Sequence, residues 1–286
     1  REWGLDRMPV VAGANDQTAA ALAAGLAQPG EAALGLGTAF VAYQVVRRDA
    51  PPPASRSYRG TYIGGLAYEL ALCSTAGAMM EWTRELFANG RNWDEIMAEA
   101  LSAEPGCAGL RANPNFGADC REPGGPEATA ALVGLRLRHE RRHLLRAVLE
   151  GAACAAREQL DTLDAGGTIA VTGSGSANTE WMQLLADVTG RRLQRMAQSQ
   201  ATLWGTALLA GHGAGLFTDL LETARSRRQG GETFSPSGGN DGVYAQVYRD
   251  YLEISQSVQS GARRGRRPTE GARTSEASSE GVKRGA

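Results

Sequence analysis

Along most of the chain, short continuous apolar runs alternate with longer stretches in which apolar residues recur at helical spacing. Short apolar runs followed by glycine-containing turns predict β-strands at residues 9–12, 32–36, 39–45, 62–67 and 168–172. Longer stretches with apolar residues three and four apart predict helices at residues 16–27, 75–88, 93–103, 140–163, 179–189, 201–212 and 241–256. Strands and helices that alternate in this way predict an α/β domain, with a mixed sheet flanked by helices.

Two regions lack this periodicity. Residues 104–126 are rich in Gly, Pro and Cys, which predicts a long surface loop. Residues 259–286 contain almost no large apolar side chains and cannot bury enough surface to offset the entropy of ordering. We therefore predict one folded domain over residues 1–258 and a disordered, locally basic tail over residues 259–286.

Composition narrows the class of protein. With 30 basic and 31 acidic residues the formal net charge is −1, which gives no support to nucleic-acid binding. No apolar run reaches the ~18 residues of a membrane span, and no export signal is recognisable, so we expect a cytoplasmic protein with no membrane partner. The cysteines have no metal-finger spacing and are expected to be free thiols, with a Cys107–Cys120 disulfide as the less favoured alternative. We predict no metal site, and interpret His139 and His143 as surface residues.

An Asn-Asp-Gln turn begins the helix predicted at residues 16–27 and contains the first candidate for chemistry. Asp16 follows a predicted strand, so its carboxylate could either cap the helix or accept a proton from a substrate hydroxyl. Gly37 and Thr38 end the next strand in a turn whose N–H groups could face a phosphate. A carboxylate base and a phosphate-holding loop at the ends of neighbouring strands are two of the parts that a sugar kinase needs.

Longer strings carry a more specific signal, and they resemble the FGGY family of carbohydrate kinases. The first is GANDQTAAALAAGLAQPGEAALGLGT at residues 13–38. The others follow in the family's order: STAGAMMEWTRELF at 74–87, RAVLEG at 146–151, VTGSGSANTEWMQLLADVTGRRL at 171–193 and WGTALLAGHGAG at 204–215. The resemblance extends over roughly residues 9–256 and is greatest to xylulokinase-like members. It implies an actin-like (ribonuclease H-like) ATPase lobe, namely the C-terminal lobe alone, with the N-terminal lobe expected to be absent.

The resemblance also assigns roles to single residues. Asp16 matches the catalytic base, which takes the proton from the sugar hydroxyl that attacks the γ-phosphorus of ATP. Gln17 matches a substrate contact. The positions that match contacts to the ATP phosphates and adenosine are Gly37, Thr38, Gly77, Gly173, Ser174, Gly175 and Asn178.

Each role has a structural alternative that the sequence leaves open. Asp16 could be a helix N-cap, Gln17 a solvent-facing residue of the first turn, Thr38 part of a tight turn, and Gly77 a site of close helix packing. Asn178 could cap the helix that follows it, and this role is compatible with a contact to adenine. The chain also departs from the family pattern at Asn15, where Gly is usual, so that a turn with positive φ would rely on the tolerance of Asn. Further departures are Ala39 for Ser, Ser174 for Gly, and CREPGGPEA around Arg121 for a Gly-Glu-Arg-x-Pro element.

The resemblance implies transfer of the γ-phosphoryl group of ATP, with Mg²⁺, to a sugar or polyol hydroxyl. The implied partners are that substrate, ATP and an N-terminal kinase lobe, and a homodimer is left open. The rival hypothesis is a non-catalytic nucleotide-binding or protein-interaction module derived from a sugar kinase.

Overall fold

The computed structural model describes residues 9–53, 56–114, 130–197, 200–228 and 230–264. The strands are β1 (Ala32–Leu36), β2 (Phe40–Val46), β3 (Tyr58–Thr61), β4 (Ala67–Cys73), β5 (Arg111–Asn113), β6 (Ala131–Val133), β7 (Thr168–Thr172), β8 (Arg192–Met196) and β9 (Gly230–Phe234). The α-helices are α1 (Asp16–Ala23), α2 (Ala76–Ala88), α3 (Trp93–Leu101), α4 (Arg141–Thr162), α5 (Thr179–Thr189), α6 (Ala201–Gly213), α7 (Leu220–Ser226) and α8 (Asp241–Arg264).

The main sheet has seven strands within the described ranges, in the order β3-β4-β2-β1-β7-β8-β9. Strand β1 pairs antiparallel with β2 and parallel with β7, and β7 pairs parallel with β8, so the sheet is mixed as predicted. Because β1 and β7 run side by side in the same direction, their carboxyl ends meet at one edge of the sheet. Both strands are followed there by a glycine-containing turn.

Helices cover both faces of this sheet. On one face, Leu34 and Leu36 of β1 share a core cluster with residues of α3, α4 and α5, and α4 packs directly on β2 and β4. On the other face, Ala33 packs with residues of α1, and α1 packs against α6. Alternate residues of β1 are therefore buried on opposite sides, which is the pattern of a strand in a helix-covered sheet.

Two predicted strands are wrong. Residues 9–12 belong to no strand: Val10 is almost fully exposed, and Val11 packs against Gly213 of α6 instead of pairing with the sheet. Residues 62–67 mostly form the turn of a hairpin between β3 and β4. Gly64 and Gly65 both have positive φ there, 67° and 76°, a conformation that ends a strand.

Several element boundaries also differ from the prediction. Helix α1 ends at Ala23, four residues early, because Gly25 adopts φ 72° just beyond it. The loop predicted at residues 104–126 contains β5, which pairs with β6. Helix α8 continues to Arg264, past the predicted domain boundary at residue 258. The rest of the predicted tail, residues 265–286, lies outside the described residues, as does Arg121.

Candidate nucleotide site

The turns that follow β1 and β7 lie against each other at the carboxyl edge of the sheet. We call them the β1 loop (residues 37–38) and the β7 turn (residues 173–176). Gly173 has φ 93°, and a Cβ at this position would lie 2.5 Å from the carbonyl oxygen of Leu36. A Cβ at Gly175 would lie 2.9 Å from Cβ of Leu36. Both positions therefore need glycine for the β7 turn to approach β1.

The first turn of α2 holds the β1 loop from the other side. The amide of Ala78 donates to the carbonyl oxygen of Thr38 at 3.1 Å, and a Cβ on Gly77 would overlap the carbonyl oxygen of Gly37. Gly77 thus allows the backbone of α2 to pack closely on the β1 loop, which is the alternative that the sequence left open for this residue. The sequence suggested that the N–H of Gly37 could face a phosphate. Instead, it donates to the carbonyl oxygen of Ala39 at 3.1 Å and is not free for a ligand. The side chain of Thr38 is exposed.

A cavity of about 850 Å³ opens on the α2 side of the β1 loop, and we call it the larger cavity. Six of the residues predicted to contact nucleotide line it together, namely Gly37, Thr38, Gly77, Ser174, Gly175 and Asn178. The sequence did not predict its other walls, which include Phe40, Met80, Trp82, Trp93, Asp94, Met97 and Trp181. Apart from Phe40 of β2, these residues lie on α2, α3 and α5. Their spacing indicates that each helix has an amphipathic face, but not that the three faces meet.

Asn178 joins two sides of the larger cavity. As the N-cap of α5, its side-chain oxygen accepts the amide hydrogen of Trp181 at 2.8 Å. Its side-chain nitrogen donates to Oδ1 of Asp94 in the first turn of α3, also at 2.8 Å. The predicted capping role of Asn178 is therefore confirmed, and a contact with Asp94 is added.

A smaller cavity, of about 290 Å³, lies on the α1 side of the β1 loop. Gln17, Thr38, Gly173 and Thr202 are among its lining residues, so the β1 loop separates the two cavities. Gln17 is half-buried, and its Oε1 would lie 3.9 Å from a Cβ on Gly35. The structure thus places Gln17 against the β1 strand rather than wholly in solvent.

Asp16 is the exposed first residue of α1 and is not among the residues that line either cavity. The N-cap of α1 is Asn15, whose Oδ1 accepts the amide hydrogen of Thr18 at 2.7 Å. Oδ1 of Asp16 accepts the adjacent amide hydrogen of Gln17 at 2.9 Å. The alternative that Asp16 is the N-cap is therefore wrong. Asn15 has φ −64°, so the turn needs no positive φ there.

The described residues contain no group of three or more His, Cys, Asp or Glu side chains that could hold a metal ion.

His143 is buried, contrary to the prediction, because its Nδ1 accepts the amide hydrogen of Glu140 in a capping box that begins α4. Cys73, Cys107 and Cys154 form no disulfide, as expected, and all three are buried; Cys120 lies outside the described residues. Burial raises the pKa of the Cys73 thiol to about 11, which keeps the thiol unreactive.

Within the described ranges, no helix is long and apolar enough to span a membrane.

Comparisons of the sequence identify its relatives. A model of the FGGY family of carbohydrate kinases, C-terminal domain, matches residues 33–214. Xylulose kinase from Lactococcus lactis subsp. lactis is 25% identical over 259 residues, which are 88% of this chain and 52% of that protein. Glycerol kinase from Alkalilimnicola ehrlichii is 33% identical over 221 residues, 73% of this chain and 44% of that protein. The chain thus spans about half the length of the curated relatives it matches.

Solved structures show the same correspondence. Xylulose kinase from Rhodospirillum rubrum has a TM-score of 0.74 at 26% identity, covering 87% of this chain and 51% of that one. A ligand-bound xylulose kinase from Lactobacillus acidophilus has a TM-score of 0.77 at 19% identity, covering 86% and 51%. These neighbours confirm the predicted fold, an actin-like (ribonuclease H-like) ATPase lobe with a mixed sheet flanked by helices.

Proposed function

The chain belongs to the FGGY family of carbohydrate kinases, and from this premise we propose that its described lobe binds Mg-ATP for phosphoryl transfer to a sugar or polyol hydroxyl. The observation that carries the proposal is the larger cavity, which is lined by two glycine turns at the ends of adjacent parallel strands. Nucleotide sites in α/β sheets are built at such strand ends. Because xylulose kinases are among the relatives, xylulose is the first acceptor to test.

The residues present fit a nucleotide. Ser174, Gly175 and Asn178 would contact adenosine, since the β7 turn offers backbone with little side chain in the way. Gly173 lines the smaller cavity, so its part would be to hold that turn against Leu36. Thr38 would contact the phosphates through its exposed hydroxyl, and Gly37 and Gly77 would keep the β1 loop beside α2. The apolar walls of the cavity suit the faces of a purine.

The acceptor side is proposed for Asp16 and Gln17. The Asp16 carboxylate is exposed and Asn15 caps the helix in its place, so Asp16 remains available as the general base for the sugar hydroxyl. Gln17 lines the smaller cavity, where its amide would contact a substrate hydroxyl. The catalytic demand on these groups is mainly one of position, because phosphoryl transfer depends on alignment and charge neutralisation.

Mg²⁺ would neutralise charge on the transferred phosphoryl group. No cluster of three acidic or histidine ligands exists in the described part of the chain. The ion would be held by the ATP phosphates, with Asp16 nearby and further ligands from an N-terminal kinase lobe. The same lobe would complete the sugar pocket.

Titration calorimetry with Mg-ADP tests the nucleotide site. We expect saturable binding by the 286-residue chain and its loss in Ser174→Trp, because an indole at this exposed position would fill the larger cavity. The matched control is Thr179→Trp, a nearby exposed position that does not line the cavity. Absence of binding by the folded wild type, or equal binding by Ser174→Trp, would contradict the assignment.

A further inference from the structure

One wall of the larger cavity presents an acceptor and a donor side by side. Asp94 lies in the first turn of α3 and Asn178 caps α5, and the two side chains are hydrogen-bonded at 2.8 Å although 84 positions separate them in sequence. Both line the larger cavity, beside the β7 turn that we assign to adenosine. The neighbouring side chain Trp93 lines the same wall.

The orientation of the Asn178 amide follows from its two bonds. Its oxygen faces the amide hydrogen of Trp181 and its nitrogen faces the carboxylate of Asp94. Reversing the amide would place its oxygen against the carboxylate and its nitrogen against an N–H donor. One N–H of Asn178 therefore remains for a ligand, and the Asp94 carboxylate, with about four lone-pair sites, has further acceptor capacity.

The position of Asp94 is not explained by helix capping. The N-cap of α3 is Asn92, whose Oδ1 accepts the amide hydrogen of Glu95 at 2.9 Å. Asp94 and Glu95 are both exposed acidic residues of the first turn, where the helix dipole favours negative charge equally well. Of the two, only Asp94 lines the larger cavity.

We propose that Asp94 is the base-specificity residue of this site, and that its carboxylate accepts a hydrogen bond from the 6-amino group of adenine. The proposal rests on the nucleotide-binding function proposed above. On its edges, adenine places the 6-amino donor beside a ring-nitrogen acceptor, which complements the acceptor of Asp94 and the free N–H of Asn178. On the corresponding N7 edge, guanine would turn its O6 acceptor toward the Asp94 carboxylate, where two acceptors repel.

Binding of three nucleotides separates this role from a structural one. We would measure the Kd values of ADP, purine riboside 5′-diphosphate, which lacks the 6-amino group, and GDP by titration calorimetry. For the wild type we expect ADP to bind about tenfold more tightly than either competitor, the usual effect of one hydrogen bond to a charged group. The ratio of Kd values is the readout, because a loss of stability alone would weaken all three nucleotides together.

Asp94→Asn is the test variant. The amide oxygen of the new side chain can still accept the hydrogen bond from Asn178. The N–H groups of the new side chain would then face the base and could not accept from the 6-amino group. The preference for ADP over purine riboside 5′-diphosphate should therefore fall to about twofold or less. Glu95→Gln is the control and should keep the wild-type ratio. Asp94→Ala should also remove the preference, and thermal melting curves report whether each variant is folded.

Three results would overturn the proposal: a wild type that binds GDP as tightly as ADP, an unchanged ratio in folded Asp94→Asn, or an equal loss of ratio in Glu95→Gln. The two proposals fail in different ways. If the wild type binds no ADP, the nucleotide site itself is wrong, and the role of Asp94 falls with it. If the wild type binds ADP with no dependence on the 6-amino group, only the role of Asp94 is wrong.

Discussion

The two sides of the β1 loop are built differently. On the α2 side lies a cavity of about 850 Å³ with aromatic and methionine walls, and six of the predicted nucleotide contacts line it. On the α1 side the cavity measures about 290 Å³, and the proposed base Asp16 lies outside it on the exposed start of a helix. If the proposed function is right, the α2 side, which we call the nucleotide side, would supply most of the contacts to a nucleotide, whereas the α1 side offers few contacts to an acceptor.

The contacts that hold the two sides also differ in kind. Backbone approaches fix the nucleotide side, where Gly77 meets Gly37 and Gly173 meets Leu36 with no room for a Cβ. Side-chain hydrogen bonds fix the start of α1, through the bond of Asn15 to the amide of Thr18 and its longer bond, 3.4 Å, to the hydroxyl of Tyr68. We therefore expect the nucleotide side to be rigid without ligand, and catalysis at Asp16 to depend on a second lobe.

The largest effect is predicted for Asp16→Asn in a fusion that carries the N-terminal lobe of a related xylulose kinase. Removing a general base should lower kcat by ~10²–10⁴-fold, while the Kd of ADP should stay within about twofold because Asp16 lines neither cavity. The measurement is a coupled assay of xylulose-dependent ADP release.

Asp241→Asn is the matched control for this variant, since Asp241 is also an exposed first-turn aspartate, at the start of α8. It should leave kcat unchanged. An Asp16→Asn fusion with full activity would remove Asp16 from the reaction. A wild-type fusion that binds ADP and releases none with any sugar or polyol would instead support the non-catalytic module.

Gly77→Ala should disturb the close packing of α2 against the β1 loop. The new methyl group would overlap the carbonyl oxygen of Gly37, so we expect a loss of about 1–3 kcal/mol in the free energy of unfolding, as for other overpacked sites. Binding of ADP should weaken as well, because the β1 loop must move. Urea unfolding and calorimetry measure the two effects.

The control is Gly166→Ala, a position where a Cβ would meet nothing within 4 Å and whose φ is not positive. It should change stability by no more than about 0.5 kcal/mol. Equal stability of the two variants would show that the close approach of α2 to the β1 loop is not required.

The smallest effect is expected at the phosphate contact. Thr38→Ala should weaken ADP binding about tenfold, the range for one hydrogen bond to a charged group, whereas Thr38→Ser keeps the hydroxyl and should bind nearly as well as the wild type. Neither change should alter the midpoint of thermal unfolding appreciably, because Thr38 is exposed. If both variants bind ADP equally well, the Thr38 hydroxyl makes no phosphate contact.

Features encoded by neighbouring residues were predictable from the sequence. The glycine turns after β1 and β7 and the capping role of Asn178 depend on short stretches whose chemistry is local. The sequence does not predict that Asn15, rather than Asp16, caps α1. Both side chains can cap a helix, and only the residue at which α1 starts decides between them. Residues 9–12 look like a strand, but pairing depends on a neighbour that the sequence pattern does not reveal.

Features that depend on distant residues were missed. Asp94 and Asn178 meet only when α3 and α5 pack on the same face of the sheet, and no local pattern marks that contact. Trp82 and Trp93 read as ordinary members of amphipathic helices until the larger cavity between them is seen. The sequence also does not predict the polar strands β8 and β9, of which β9 is an edge strand, since they lack a continuous apolar run.

A crystal structure of the chain with Mg-ADP is the decisive test of the proposed nucleotide site. We expect the purine in the larger cavity, with its 6-amino group next to Asp94 and Asn178, and the phosphates directed at Thr38. The ring should lie against the β7 turn without displacing it. A nucleotide bound elsewhere, or a purine in this cavity with its phosphates directed away from the β1 loop, would show that the proposed site is wrong.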